Sequence, residues 1–355
     1  MLHCGGGHSP QRRPAGPSLK LEGGPGGREK GDADGDEGCF WEGMAWDDVH
    51  GGVLDMAEVR KARKEEVDYM VGREIWEVCD EEEAWRVTGK APVSTRWVDT
   101  NKGTKEAPLV RCRLVARDFR RKGEKDREDL FAATPPLETV RLLLSKAATR
   151  GVNKGKKKLM FIDAKKAHIN PKCNDHVYIE LPDESNVGKG KCGRLRHWLY
   201  GFRPAAQAWE GFYAEKLQGA GFQRGVISPV VFRCAERDMD CVVHGDDFTV
   251  CGYDGDLRWL AEEMGRWFEI KVRGILGDDV GDKKQISLLG RIIKWESWGI
   301  EYQADPKHRN IVLKALGFDE NTKALKVNGE KKLSRDLTEE MSPEDATRFR
   351  ALVAR

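Results

Sequence analysis

The stretch CVVHGDDFTV, residues 241–250, places two adjacent aspartates inside an otherwise apolar segment. Cys-Val-Val precedes the Gly-Asp-Asp step and Phe-Thr-Val follows it. β-Branched and aromatic residues are enriched in strands, whereas Gly and Asp are enriched in turns. The pattern therefore predicts a β-hairpin with Asp246 and Asp247 in its turn. Ionised carboxylates in such a setting need a neutralising partner.

A further aspartate, Asp163, ends the apolar run from Leu159 to Ile162. If this strand lies beside the hairpin, three carboxylates meet at one end of a sheet and repel each other unless a cation intervenes. Hard divalent cations prefer oxygen ligands, and two Mg²⁺ ions roughly 4 Å apart would suit phosphoryl transfer. The alternative is an ordinary hairpin turn beside an ordinary strand end, since Asp is common in both places.

Positive charge is concentrated in two segments. In the predicted strand of residues 109–119, Arg111, Arg113 and Arg117 alternate with the apolar residues Leu114 and Val115, so this strand could hold a triphosphate or a nucleic-acid backbone. The second segment consists of four lysines, Lys154, Lys156, Lys157 and Lys158. For both segments the alternative is a solvated charged surface.

Helix and strand patterns follow each other irregularly along the rest of the chain, which predicts an α+β fold and not a doubly wound sheet. One helix is predicted in residues 137–151, ended by Gly151. Its apolar face is formed by four residues, Leu137, Val140, Leu144 and Ala147. Another is predicted in residues 203–222, with Trp209 and Tyr213 on its apolar stripe.

Composition limits the remaining possibilities. Residues 1–45 are rich in Gly, Pro and charge, which predicts a disordered tail. Nine cysteines without a Cys-x-x-Cys pair argue against a structural zinc site and a disulfide framework, and favour a reducing compartment. The chain has neither the apolar core of a signal peptide nor an apolar run of membrane-spanning length, so we expect a soluble protein.

Taken together, these segments resemble the reverse transcriptase of copia-type LTR retrotransposons, the polymerase part of the Pol polyprotein. The resemblance covers roughly residues 70–355. It is carried by RCRLVARDF (111–119), LFAATPPLETVRLLLSKAATRG (130–151), FIDAKKAHIN (161–170), DHVYIELP (175–182), WLYGFRPAAQAW (198–209), VVHGDDFTV (242–250), ISLLGRII (286–293) and GIEYQADPKHRNIVLKALGF (299–318). It implies a right-hand polymerase fold with fingers and palm in residues 46–300 and a partial thumb or connection in residues 301–355, truncated before an RNase H domain.

The resemblance also implies roles for individual residues. The family's catalytic, metal-binding carboxylates match Asp163, Asp246 and Asp247, of which the first two would bridge both ions. Its nucleotide-binding positions match Arg111, Arg113, Lys166, Ala167 and His168. Its template and primer positions match Tyr200, Gly201, Leu289 and Gly290.

Three residues depart from the family's pattern. His244 replaces an aromatic tyrosine before the catalytic pair. His168 stands where a bulky aromatic side chain usually excludes the 2′-hydroxyl, so discrimination against ribonucleotides is in doubt. Pro204 replaces a glutamine, which removes a contact to template or nucleotide.

The sequence thus predicts an RNA- and DNA-directed DNA polymerase that uses two Mg²⁺ ions, with Mn²⁺ as a substitute. The expected partners are a primed RNA or DNA template, dNTPs, and the RNase H and integrase portions of a parent polyprotein. The expected location is a virus-like particle in the cytoplasm, or the nucleus, with no membrane. Because no protease or integrase signature precedes the fingers and nothing follows residue 355, we expect part of a polyprotein, a truncated element or a fragmentary gene model.

Two alternatives stay open. An inactive retroelement remnant would at most bind nucleic acid. Another two-metal palm enzyme, such as a nucleotidyl cyclase, would keep the carboxylates but need neither primer nor template loop; the match of residues 198–209 argues against it.

Overall fold

The computed structural model describes residues 45–104, 106–119, 130, 132–149, 155–304, 306–319, 322 and 341–353. The tail predicted for residues 1–45 lies outside this part of the chain except for Ala45, which begins a strand and pairs with Leu54. Gly151 and Lys154 also lie outside it.

The described helices are α1 (Met56–Gly72), α2 (Glu81–Thr88), α3 (Leu137–Ala148), α4 (Ala205–Gly219), α5 (Asp254–Trp267), α6 (Pro306–Ala315) and α7 (Pro343–Val353). The described strands are β1 (Ala45–Trp46), β2 (Val53–Leu54), β3 (Trp76–Asp80), β4 (Thr95–Asn101), β5 (Val110–Ala116), β6 (Lys158–Ala164), β7 (Tyr178–Ile179), β8 (Lys191–Leu195), β9 (Gln223–Arg224), β10 (Val231–Cys234), β11 (Met239–His244), β12 (Asp247–Gly252), β13 (Ile270–Leu276), β14 (Gln285–Leu288), β15 (Arg291–Glu296) and β16 (Gly299–Gln303). Helices and antiparallel strand pairs are intermixed, which confirms the predicted α+β class.

The central sheet has the strand order β13-β6-β12-β11-β10-β9. Strand β6 is apolar along most of its length because both of its faces are covered. Met160 and Ile162 pack in a cluster with α4 and α5, whereas Leu159 and Phe161 pack with α3 and the sheet β14-β15-β16. Alternate residues of a strand point to opposite faces, so a strand between two layers must be apolar at every position.

Helix α3 covers the central sheet with most of the predicted face, in which Leu143 takes the place of Leu137. Val140, Leu143, Leu144 and Ala147 are buried, whereas Leu137 is 50% exposed. The prediction for Leu137 was wrong because this residue is the first of the helix, and burial begins only one turn later, at Val140.

The arginine-bearing strand β5 pairs with β4 and packs against α1. Its buried side is formed by Cys112, Leu114 and Ala116, and Arg111 and Arg113 project from the exposed side. Val115 shares the side of the arginines by strand alternation, so the prediction that grouped it with Leu114 was wrong. Arg117 is exposed and follows the strand.

The lysine segment does not form a free basic surface within the described residues. Lys156 bonds to Asp278, Lys157 lies 2.8 Å from an oxygen of Asp238, and Lys158 is surrounded by three aspartates. Neither predicted alternative, a nucleic-acid-binding cluster or a solvated surface, therefore describes these lysines. Among the described residues, no helix combines the length and apolar composition that crossing a membrane requires.

Candidate active site

The hairpin predicted from the Gly-Asp-Asp step joins β11 and β12 through the two-residue turn Gly245-Asp246. Gly245 has a φ of 64°, which a residue without a side chain adopts at little cost. Asp247 begins β12 and does not lie in the turn, which corrects the prediction. It stands opposite His244 on β11 and opposite Asp163 on β6.

Two hydrogen bonds fix the turn between neighbouring elements. The Trp209 indole Nε1 on α4 donates to the Gly245 carbonyl at 2.8 Å, and the Ala164 N–H donates to the Asp246 carbonyl at 2.8 Å. Trp209 is only 2% exposed, so its ring is held by the core. The three aspartates thus meet at one end of the central sheet, which we call the acid end.

A cavity of about 680 Å³ opens at the acid end, and we call it the site cavity. Of the residues predicted to form the functional site, it is lined by Asp163, Asp246, Arg111, Arg113, Lys166, Ala167, His168 and Tyr200. Asp247, Gly201, Leu289 and Gly290 are not part of this lining. The structure therefore brings the predicted nucleotide-binding residues together with two of the three carboxylates.

Asp247 is neutralised within the chain. Its Oδ1 atom accepts a hydrogen bond of 3.2 Å from Nη1 of Arg273 on β13. Burial raises the pKa of the Asp247 carboxyl, the Arg273 charge opposes this rise, and the nearby charges of Asp246 and Asp163 add to it. Arg273 therefore favours the charged form of Asp247.

The carboxylates of Asp163 and Asp246 have no ion-pair partner among the described residues, and both face the site cavity. In the described part of the chain, no group of three or more His, Cys, Asp or Glu side chains is arranged to hold a metal ion. Mg²⁺ is commonly bound by one or two carboxylates together with water and substrate phosphates. The donor chemistry of Asp163 and Asp246 fits such a divalent cation.

The lining of the site cavity also carries positive charge. Arg111, Arg113 and Lys271 line the cavity and have no ion-pair partner among the described residues. The guanidinium of Arg113 lies 5.6 Å from the centroid of the Tyr200 ring, within the range of a cation–π contact. These cationic side chains suit a ligand with several negative charges.

Two other lysines of the cavity are already paired. Lys165 bonds to Glu269, and Nζ of Lys166 lies 2.5 Å from Oε2 of the buried Glu66. Lys166 also lies 3.5 Å from the centroid of the Tyr69 ring. The side-chain charge of Lys166 is thus compensated inside the protein, and its backbone is the part that remains available to a ligand.

The backbone at Lys166 has a left-handed conformation, with φ 50° and ψ 43°, and leads into a 3₁₀ turn at Ala167–Ile169. The first hydrogen bond of this turn runs from the Ile169 N–H to the Lys166 carbonyl. The N–H groups of Ala167 and His168 precede it and are therefore free of intrahelical partners. Successive free N–H groups beside a left-handed residue form a concave donor surface for anions.

His168 and Tyr200 form the aromatic part of the cavity lining, with ring centroids 6.0 Å apart in an edge-to-face arrangement. Burial lowers the pKa of His168, partly offset by the Asp246 charge, so the imidazole is neutral at pH 7. Burial also raises the pKa of Tyr200, which keeps the phenol protonated.

Gly201 contributes by close packing. It has a φ of 87°, and a Cβ atom on it would lie 2.2 Å from the carbonyl oxygen of Ala116 on β5. The Ala116 N–H donates to the Tyr200 carbonyl at 2.7 Å. Only glycine allows this approach, which places Tyr200 beside the arginine strand.

Leu289 and Gly290 form the two-residue turn between β14 and β15. Both have positive φ angles, 49° and 71°. A left-handed leucine is unusual because its Cβ crowds the backbone. The turn lies outside the cavity lining, but the neighbouring Ser287 carbonyl accepts a hydrogen bond of 2.5 Å from Nη2 of Arg273.

Of the other departures from the family's pattern, Pro204 immediately precedes α4 and lines a separate cavity of about 360 Å³. His244 ends β11 and is partly exposed.

The sequence predictions missed Glu66, Tyr69, Glu269, Lys271 and Arg273. A signal for three of them is present in the segment EIKVR, residues 269–273, where charged residues alternate with Ile270 and Val272. Such a period-two pattern places all three charges on one side of a strand. Glu66 carries no comparable signal, because it belongs to a helix that is polar along most of its length.

The chain is similar to a known protein family and to a known relative. A sequence profile of the family described as reverse transcriptase (RNA-dependent DNA polymerase) matches residues 74–285. The Retrovirus-related Pol polyprotein from transposon TNT 1-94 of Nicotiana tabacum is 25% identical over 206 residues, which are 56% of this chain and 15% of that polyprotein. This chain therefore spans only a small part of that relative's length.

Two solved structures are also similar. The foamy viral protease-reverse transcriptase in complex with dsDNA has a TM-score of 0.40 at 10% identity, over 83% of this chain and 47% of that one. Telomerase from Candida albicans, in complex with a fragment of telomeric RNA, has a TM-score of 0.45 at 8% identity, over 74% of this chain and 52% of that one.

Proposed function

This chain belongs to the reverse transcriptase (RNA-dependent DNA polymerase) family, and from that premise we propose that it extends a primer with dNTPs on an RNA or DNA template. The observation that carries the proposal is the site cavity itself. It is lined both by the carboxylates of Asp163 and Asp246 and by the guanidinium groups of Arg111 and Arg113. A nucleotidyl cyclase, the other two-metal enzyme considered from the sequence, is set aside by the family membership.

The proposed division of the chain is the one that the family resemblance implied. Residues 46–300 would form the fingers, which include β4 and β5, and the palm, which includes the central sheet. Residues 301–355 would form part of the thumb or connection. The partners proposed are a primed template, dNTPs and the RNase H and integrase portions of a parent polyprotein, in a virus-like particle or the nucleus.

In the proposed reaction, a primer 3′-hydroxyl attacks the α-phosphorus of a dNTP and pyrophosphate leaves. Mg²⁺ or Mn²⁺ ions, when bound to Asp163 and Asp246, would lower the pKa of the hydroxyl and offset the charge of the leaving group. The two carboxylates supply the oxygen ligands, and the Trp209 and Ala164 hydrogen bonds keep the Gly245-Asp246 turn in place. Preorganised ligands of this kind avoid a reorganisation cost during the reaction.

The remaining cavity residues would hold the nucleotide. Arg111 and Arg113 would bind phosphate oxygens, because a guanidinium donates two parallel hydrogen bonds to such groups. The N–H groups of Ala167 and His168 would bind a further phosphate oxygen. The neutral His168 ring, packed against Tyr200, would contact the sugar, and its smaller size predicts weaker exclusion of ribonucleotides than an aromatic ring would give.

Primer extension tests the proposal with Asp163→Asn, Asp246→Asn and the control Asp68→Asn, which changes an exposed aspartate paired only with Lys64. We expect the two site variants to lose about 10³-fold or more of dNTP incorporation, because several kcal/mol of transition-state stabilisation disappear. Binding of a fluorescent primer-template, measured by anisotropy, should stay within about twofold, since phosphate contacts dominate such affinity. Incorporation that survives in either site variant would overturn the proposal.

The alternative function is an inactive remnant that binds nucleic acid without extending it. One observation favours it: Asp247 is paired with Arg273, so this carboxylate is already engaged within the chain. Wild-type protein that binds the primer-template but extends no primer with either Mg²⁺ or Mn²⁺ would establish this alternative.

A further inference from the structure

An irregularity in strand β13 directs the side chain of Arg273 towards the acid end. Val272 pairs with Ile162 and Gly274 pairs with the preceding residue, Phe161, so that Arg273 is an additional residue in the strand. A β-bulge of this kind bends the strand and redirects the side chains at it. Strand β13 is an edge strand, where bulges are common.

The bulge is held by Lys283. Its Nζ atom donates to the Arg273 carbonyl, and its N–H donates to the Ile275 carbonyl at 2.8 Å. A Cβ atom on Gly274, which has a φ of 151°, would lie 2.6 Å from Cδ of Lys283. The backbone at Arg273 is therefore held in place by Lys283, whose side chain lies against Gly274.

The guanidinium of Arg273 reaches past β6 and joins two other elements. Nη1 donates to Oδ1 of Asp247 at 3.2 Å, and Nη2 donates to the Ser287 carbonyl on β14 at 2.5 Å. Ser287 lies two residues before the turn Leu289-Gly290. A planar guanidinium can serve two acceptors in fixed directions at once, which an ammonium group does less well.

The contact also decides the charge at the acid end. Asp247 stands directly opposite Asp163, so the two carboxylates would repel each other without a neighbouring cation. Arg273 supplies such a cation to Asp247 and occupies one of its oxygens, and Lys271 stands opposite Asp163 on β13. Asp163 and Asp246 are left as the carboxylates that face the site cavity.

We propose that Arg273 is a positioning residue with two effects. It holds Asp247 as an internal ion pair and so keeps this carboxylate out of the divalent-cation site, and it ties the turn Leu289-Gly290 to the acid end. The identity of the cation rests on the proposed function, but the ion pair and its consequences do not require that the chain polymerises.

Titration of the full chain with MnCl₂ in a calorimeter, without template or dNTP, tests the first effect. We expect Asp247→Asn to bind Mn²⁺ within about twofold of wild type, and Asp163→Asn to abolish the binding. Arg273→Gln should bind Mn²⁺ about tenfold more tightly, because it releases a carboxylate beside Asp163 and removes a positive charge. Asp247→Asn placed in the Arg273→Gln background should reverse that gain.

The matched control is Arg258→Gln, which removes an arginine that pairs with Asp254 on the exposed side of α5 and should leave the Mn²⁺ affinity unchanged. If Asp247→Asn weakens Mn²⁺ binding as much as Asp163→Asn does, Asp247 is a ligand and the inference is overturned. An unchanged or weaker affinity in a folded Arg273→Gln variant overturns it as well. Should Arg273→Gln not fold, the Asp247→Asn titration decides alone.

Hydrogen exchange tests the second effect. Amides of residues 285–293 should exchange faster in Arg273→Gln than in wild type, and not in Asp247→Asn, which retains the bond to Ser287. Unchanged exchange in Arg273→Gln would refute the tie. A protein that binds Mn²⁺ as expected but extends no primer would contradict the proposed function and leave this inference intact.

Discussion

The two ends of strand β6 carry opposite charges, and they differ in whether neighbouring residues supply a counter-charge. At its beginning, Lys158 is 7% exposed and its Nζ atom lies 2.9 Å from Asp254, 2.6 Å from Asp279 and 2.9 Å from Asp282. At the other end, Asp163 faces a cavity without an ion-pair partner among the described residues. We call the first the lysine end, in contrast to the acid end.

The difference separates charge that stabilises from charge that is available for binding. At the lysine end, the nearby carboxylates raise the pKa of Lys158 despite its burial, so its charge is balanced by carboxylates within the fold. At the acid end, Asp247 is paired with Arg273, whereas Asp163 and Asp246 have no ion-pair partner among the described residues and keep their oxygens open to a ligand. Asp163 is partly exposed and Asp246 is exposed, so both charges are accessible to a ligand in the cavity.

The largest effect should come from breaking the lysine end. Lys158→Met keeps the length of the side chain but leaves the Asp282 carboxylate, whose side chain is 6% exposed, without its counter-charge, so we expect a loss of about 3 kcal/mol in the free energy of unfolding. Urea denaturation measures it. Lys64→Met, which breaks one exposed pair, should cost less than about 1 kcal/mol. Equal losses in the two variants would show that the lysine end is not a special structural feature.

The next effect concerns a close contact beside the acid end. Gly201→Ala places a Cβ atom 2.2 Å from a backbone oxygen at a positive φ, so we expect a loss of about 2 kcal/mol or more in unfolding free energy. Gly211→Ala on α4 has open space and should instead stabilise the protein by about 0.5–1 kcal/mol. Thermal denaturation of both variants checks the contrast, and a stabilised Gly201→Ala would contradict it.

A smaller change in the free energy of unfolding, of opposite sign, is expected for a substitution at the acid end. Asp163→Asn removes one of two facing carboxylates, so the free energy of unfolding should stay unchanged or rise by up to about 1 kcal/mol. The same substitution is the one expected to abolish primer extension. Lower stability of Asp163→Asn in urea would mean that this carboxylate is part of the structural framework after all.

The smallest effect is a pH dependence at the lysine end. Hydrogen bonds from Arg258 and then Lys158 hold the pKa of the Asp254 carboxyl below its usual value of 3.8. The stability that the ionised carboxyl contributes is therefore present above pH 3.8 and is lost as pH falls through the lowered pKa. Because Asp254 is partly exposed, solvent screens the contribution to about 1 kcal/mol or less. Asp254→Asn should therefore be less stable than wild type at pH 7 and equally stable near pH 2. A difference that persists at pH 2 would point to another cause.

Much of the acid end could be predicted from the sequence because its signals are local. The apolar run before Asp163 and the Gly-Asp step between two apolar segments indicate a strand and a hairpin without reference to any other residue. The alternation of Arg111 and Arg113 with buried neighbours likewise gave the exposed side of β5. Period-two patterns and turn residues act within a few positions of the chain.

The partners of the charges could not be predicted in the same way. The four lysines up to the first residue of β6 had the composition of a basic surface, yet the described ones are bound to aspartates far along the chain. Lys166 was predicted beside a nucleotide, and its ammonium is held by Glu66, 100 positions away.

The sequence by itself determined the α+β class, the hairpin and which residues carry the charges, because strand periodicity and turn chemistry depend on near neighbours. Only the tertiary structure decided which charges form ion pairs with one another and which remain accessible to a ligand. Arg273 and Asp247 lie 26 positions apart and meet because a bulge in an edge strand directs one across β6 to the other. Coulombic partners depend on distance in space, and the packing of β13, β6 and β12 sets that distance.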